Sequence, residues 1–131
     1  MNRDPISDML TRMRNALQRR MATVDIPASN VCRGVLTVLR AEGFIESLDE
    51  IQDGRQGIIR IRLKYGPDGE EVVTQLKCES KPSRRVYKDA TEVQPVLGGL
   101  GVGIYTTNQG ILSDKQARHL KVGGELLCTV W

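Results

Sequence analysis

Apolar positions along this chain begin in a helical period, change to strict alternation near residue 58, and then break into short runs. In "DPISDMLTRMRNALQRR", Ile6, Leu10, Met13 and Leu17 fall four, three and four residues apart, with Arg12, Asn15 and Arg19 between them. That spacing makes one buried face of a helix. Asp4 followed by Pro5 supplies the start, as N-cap and first helical residue. "TVDIPA" predicts a short strand stopped by Pro27. In "SNVCRGVLTVLRAEG", Ser29 caps a second helix with Cys32, Val35, Leu36 and Leu39 on one face and Gly43 past its end. Its β-branched residues and Gly34 are poor helix formers, so the period alone argues for it.

"FIESLDEI", the turn "QDGRQ" and "GIIRIRLKY" predict a hairpin, because Ile59, Ile61, Leu63 and Tyr65 alternate with Arg60, Arg62 and Lys64. The basic face has the charge of a nucleic-acid surface. We favour the plainer reading, in which Glu46, Asp49, Glu50 and Asp53 on the partner strand and turn neutralise it across the strands. "GPDGE" then breaks the pattern with turn residues and marks a lobe boundary, giving an N-terminal α/β lobe over 1–66 and a mainly β lobe over 67–131. In the second lobe we expect short strands in "EVVTQLKCES", "RRVYK", "GVGIYT", "GIL" and "GELLCTVW". One helix, "DKQARHL", is headed by the capping-box pair Ser113 and Gln116. The fold class expected is α+β, in two small lobes.

The 131 residues suffice for one real core but not for several independent ones. No run approaches the roughly 20 apolar residues of a membrane helix, and "MNRDPISDML" lacks the pattern of a signal peptide, so we expect a soluble protein that stays inside the cell. Cys32, Cys78 and Cys128 are odd in number and distant in sequence, which argues for reduced, buried thiols rather than a disulfide frame or zinc site. Net charge is only +3, but it is +3 over residues 1–21, −3 over 22–76 and +3 over 77–131. Two basic ends around an acidic middle fit a polyanionic partner touched at both ends.

"VLGGLGVGIYTTNQG" holds five of the thirteen glycines. As a dinucleotide fingerprint it fails, since Ile104 and Thr106 stand where a third glycine is needed. As a phosphate loop it fails too, because Ile104 and Tyr105 follow Gly103 in place of Lys and Ser or Thr. The glycines are better explained by close backbone approach. The following Thr106, Thr107, Asn108, Gln109 and Gly110 make either a plain hairpin turn or a hydrogen-bonding probe for base edges and ribose hydroxyls in a shallow RNA groove. In "KCESKPSRRVYK", Lys81, Arg84, Arg85 and Lys88 surround Tyr87. That is either a phosphate-contacting segment with a stacking ring or a solvated loop whose tyrosine packs inward. No catalytic constellation stands out, and His119 among cations suits a solvated helix end. We expect no enzyme activity, metal or cofactor.

Three segments, "DPISDMLTRMRNA", "SKPSRRVY" and "GLGVGIYTTNQGILSDKQARHLKVGGELLCTVW", closely resemble in order and register the family of the bacterial small-subunit ribosomal protein numbered eight. The resemblance implies two lobes and direct binding of the central domain of small-subunit ribosomal RNA early in assembly. It also implies a cytoplasmic location within the small subunit beside other ribosomal proteins and, in some members, repression of the protein's own messenger RNA. It puts the main RNA contact on the loop Thr106–Gly110, where Gln109 stands in place of the family's usual lysine. Gly123, Gly124 and Glu125 match a pattern that lies near this loop, and Tyr87 matches the tyrosine after the basic segment. Asp4, Ser7, Arg12, Arg14 and Asn15 match a second contact region.

Overall fold

The computed structural model describes residues 4–131, so Arg3, one of the cations counted at the start of the chain, lies outside it. The chain divides into two compact units between Val73 and Thr74. In the first, helix α1 (Pro5–Gln18) precedes strand β1 (Thr23–Pro27), helix α2 (Asn30–Ala41) and strands β2 (Ile45–Ile51) and β3 (Ile58–Leu63). The three strands form an antiparallel sheet in the order β1-β3-β2.

The caps stand as the sequence predicts. Asp4 accepts the Ile6 N–H at 3.1 Å, and Ser29 accepts that of Cys32 at 3.2 Å. On α1 the buried face is Ile6, Met9, Leu10, Met13 and Ala16, rotated from the expected stripe so that Leu17 is only half-buried. On α2, Cys32, Val35, Leu36 and Leu39 are buried as expected, and Val38 joins them. Burying an aliphatic side chain of this size contributes about 1.5–3 kcal/mol. A few of them outweigh the helix penalty of about 1 kcal/mol at Gly34.

The neutralisation of the basic β3 face differs from expectation. Arg60 makes a two-pronged ion pair with Asp25 of β1, at 2.8 and 3.0 Å, while Asp49 of β2 is its register partner on the other side. The Arg60 guanidinium holds the Asp25 carboxyl below the ordinary carboxylate value. Glu50 turns instead to Arg33 of α2 at 2.9 Å, and Asp53 accepts the N–H groups of Arg55 and Gly57 within its own turn. Glu46 falls at a register shift in β2.

The turn expected to separate two lobes at residues 66 and 67 lies inside the first unit. Gly66 donates to the Glu70 carbonyl at 2.8 Å and Tyr65 bridges Glu71, so the chain folds back before it leaves. The Tyr65 hydroxyl donates to the Met21 carbonyl at 2.7 Å, and Arg20 donates to the Gly69 carbonyl, holding the returned segment.

In the second unit the strands are β4 (Leu76–Cys78), β5 (Tyr87–Lys88), β6 (Val102–Thr107), β7 (Gly110–Ser113) and β8 (Gly124–Val130), with helix α3 (Asp114–Leu120) between the last two. They form one sheet in the order β4-β8-β6-β7, with β5 also pairing β8. The long runs expected to hold the first two strands contract to three and two residues. Around them, Thr74 and Gln75 both donate to the Trp131 carbonyl, and Lys81 and Arg84 close a tight turn. Cys78 and Cys128, fifty positions apart in sequence, are register partners on β4 and β8.

Val102, Ile104, Cys128 and Val130 are fully buried, and on the opposite side Val93, Tyr105, Ala117 and Leu126 form a second cluster. Strand β6 is therefore buried on both faces. The capping box at Ser113 and Gln116 is present in both directions. Asp114 ties α3 to β6 by accepting the Gly103 N–H at 2.9 Å, and within the helix it pairs with Arg118 at 2.6 Å.

Candidate nucleic-acid interface

The β6–β7 hairpin ends in a two-residue turn, Asn108–Gln109, with Thr107 and Gly110 paired across it. Gly110 has φ +107°, a conformation that a side chain disfavours. The Thr107 hydroxyl fixes the turn by donating to the Gly110 carbonyl at 2.8 Å and accepting the Gln109 N–H at 3.0 Å. The Asn108 and Gln109 side chains are exposed.

Strand β8 passes beside this tip. Between Ile104 and Tyr105 its register slips, the partner changing from Cys128 to Leu126, so that Leu127 is bulged. Without the bulge Glu125 would stand opposite Thr107; with it, Glu125 stands opposite Thr106. On the other edge Glu125 pairs Tyr87 and Gly124 pairs Lys88. The two glycines are required by the crowding on either side: a β-carbon at Gly124 would strike the Thr106 carbonyl, and one at Gly123 the Lys88 carbonyl.

These elements enclose an open concavity of about 480 Å³ lined by Tyr87, Thr106, Thr107, Asn108, Lys121, Val122, Gly123, Gly124 and Glu125. Tyr87 is 68% exposed, which decides against the reading in which its ring packs into the core. Glu125, with only 15% of its side chain exposed, accepts from the Ser80 hydroxyl at 2.7 Å and from Arg85 Nη1 at 3.2 Å, both through Oε2. Ser80 in turn accepts the Val86 N–H at 2.8 Å and is buried. One carboxylate oxygen is thereby anchored and the residue held at the wall of the concavity. Hydroxyls, amides, an acceptor carboxylate and an exposed ring suit unpaired bases and ribose hydroxyls, which offer donors, acceptors and faces together.

Seven of the expected RNA-binding residues thus meet in one place: Tyr87, Thr106, Thr107, Asn108, Gly123, Gly124 and Glu125. Gln109 and Gly110 form the exposed end of the same hairpin, and Lys88 sits on β5 beside Gly124. Lys81 and Arg84 lie on the tight turn before β5, exposed, while Arg85 is occupied with Glu125.

The remaining five belong to the first unit. Asp4 is committed to capping α1. Arg12 pairs with Asp8 at 3.1 Å and donates to the Asp25 carbonyl at 3.3 Å, beside a smaller concavity of about 200 Å³ between Pro5, Ser29 and Gln56. Ser7 and Arg14 are half-buried and Asn15 is exposed.

Sequence reasoning missed Ser80, Lys121 and Val122. For Ser80 no periodic signal exists, because its role depends on a partner 45 residues away. Among the described residues no group of three or more His, Cys, Asp or Glu could hold a metal ion, and no helix is long and apolar enough to cross a membrane.

The family model described as "Ribosomal protein S8" matches residues 4–131. A protein of Clostridioides difficile (strain 630) named "Small ribosomal subunit protein uS8" is 56% identical over 128 residues, covering 98% of this chain and 97% of the relative. The protein of the same name from Streptococcus suis (strain 05ZYH33) is 51% identical over the same shares, and that of Streptococcus pneumoniae (strain Hungary19A-6) is 49% identical. With a family match over both units and relatives similar from end to end, this chain belongs to the ribosomal protein S8 family, a family of ribosomal proteins rather than of enzymes.

Proposed function

We propose that this protein is a structural constituent of the small ribosomal subunit that binds the central domain of small-subunit ribosomal RNA and stabilises its fold during assembly. The observation that carries the reading is the convergence of the Thr106–Asn108 tip, the exposed Tyr87 ring and Gly123–Glu125 on one concavity. The names of its relatives place those proteins in the small subunit, and the basic ends of this chain fit the same polyanion. In this reading the concavity selects the RNA, while Lys81, Arg84 and Lys88 add salt-sensitive attraction. Neighbouring ribosomal proteins complete its surroundings. A messenger segment that presents the same unpaired bases competes for the same surface, which is how the protein would repress its own synthesis.

The test is binding of the purified protein to a central-domain fragment at two salt concentrations, against an equal-length duplex competitor. Binding that survives the competitor supports the reading. Binding abolished by both salt and duplex leaves only generic electrostatics and overturns it.

A further inference from the structure

Lys121 closes α3 with φ 57° and ψ 45°, in the left-handed region, which glycine enters without penalty and a β-carbon disfavours. Its backbone N–H completes the helix end by donating to the Ala117 and Arg118 carbonyls. Val122 follows, packed against the cluster of Tyr105, Ala117 and Leu126, so the turn carrying Lys121 is held firmly. The side chain is exposed and lines the concavity.

Two nearby cations have other engagements. Arg118 pairs with Asp114 at 2.6 Å and Arg85 with Glu125 at 3.2 Å. No ion pair or hydrogen bond among the described residues engages the Lys121 ammonium, and it is the one cation among the described residues lining this concavity. A strand entering with its bases toward the Thr106–Asn108 tip and Glu125 brings a phosphate charge with every nucleotide. The lining otherwise offers that charge only neutral groups and an acid.

We propose that Lys121 is the phosphate-binding residue of this site, neutralising the backbone of the same strand whose bases meet the polar tip. This rests on the RNA-binding reading above. The competing account is that lysine stands there because a cation favours a helix C-terminus. The two differ in RNA affinity when lysine becomes glycine. Glycine relieves the left-handed backbone while removing the charge, so a phosphate ligand is lost without loss of fold.

The experiment measures affinity for the central-domain fragment across a salt series, together with the thermal midpoint, for the wild type, Lys121→Gly, Lys121→Asn and Lys121→Arg. Asparagine keeps a β-carbon and tolerates the left-handed region. The glycine and asparagine variants should bind about fivefold or more weakly at low salt. Their slope of log affinity against log salt should be shallower by about 0.7–0.9, one phosphate contact. The glycine variant should melt at or above the wild-type temperature, and arginine should restore both affinity and slope. Unchanged affinity or an unchanged slope in the glycine and asparagine variants overturns the proposal. A wild type that does not prefer the fragment over duplex defeats the RNA-binding reading itself.

Discussion

The hydroxyl of Ser80 donates to Glu125 Oε2 at 2.7 Å while accepting the Val86 N–H at 2.8 Å, joining three separate segments of the second unit through one buried oxygen. An acid beside a polyanion needs a reason. Anchored on one oxygen by Ser80 and Arg85, the carboxylate can serve as a fixed acceptor for base amino groups, which phosphates are not. Ser80→Ala removes the donor to Glu125 and the acceptor for Val86 together. It should cost about 1–3 kcal/mol in urea unfolding and weaken the cognate RNA beyond that loss of folded protein. A variant as stable and as tight-binding as the wild type would show that the relay is dispensable.

At the hairpin tip, Thr107 and Asn108 are adjacent but have different tasks. The Thr107 hydroxyl is spent inside the turn, on Gly110 and Gln109, whereas the Asn108 side chain is exposed. Asn108→Ala should leave the unfolding midpoint unchanged and weaken the cognate RNA by about 1 kcal/mol, with a smaller effect on a duplex. Thr107→Val should lower both stability and binding, and Thr107→Ser should restore both. Equal loss on both RNAs for Asn108→Ala would remove it from base or ribose readout.

The Asp25–Arg60 pair predicts a pH dependence in the first unit. Arg60 lowers the Asp25 pKa in the folded protein, chiefly through its side-chain hydrogen bonds. The stabilisation is therefore present above the unfolded-state value of about 3.9 and is lost as the pH falls through the lower folded-state value. Being partly exposed, the pair contributes little. Asp25→Asn should lower the denaturant midpoint slightly at pH 7 and by less at pH 2. A difference of the same size at both pH values would assign the effect to something other than ionisation.

Gln75 and Trp131 exchange both backbone hydrogen bonds, and Glu79 donates to Leu127, so Cys78 and Cys128 between them fall at a register position where the two backbones exchange no ladder hydrogen bonds. Such pairs have Cα atoms about 4.5 Å apart, within the roughly 4.4–6.8 Å range that disulfides span. Treating the purified protein with diamide, which takes up the two electrons and two protons released, should join Cys78 to Cys128 and leave Cys32 a thiol. Peptide mapping that finds Cys32 in the bridge, or no intramolecular bridge, would contradict this pairing.

Much of the fold was legible because it is written in local patterns. The helix caps at Asp4, Ser29 and Ser113 and the alternation on β3 each act within a few residues. What was not legible depends on distant parts of the chain. The partner of Arg60 comes from β1 rather than from the hairpin strand, because β3 is central and has two neighbours. The bulge at Leu127, which sets Glu125 opposite Thr106, is a feature of the pairing between β6 and β8 and leaves no mark in the local spacing of residues. Within the site, the tip, Tyr87 and the Gly123–Glu125 segment could be named from the sequence. Ser80 and Lys121 could not, since one acts through a remote hydrogen bond and the other through a backbone conformation usually left to glycine.

The central claim is that RNA is read in the concavity between the β6–β7 tip and the start of β8. The measurement that tests it most directly is ultraviolet cross-linking of the protein to a central-domain fragment, with nucleotide adducts located by mass spectrometry. The account predicts adducts on Tyr87, on Thr106–Asn108 and on Lys121–Glu125, all lost with excess unlabelled fragment but not with duplex. Adducts confined to the basic turn around Lys81 and Arg84, with none in the concavity, would contradict it.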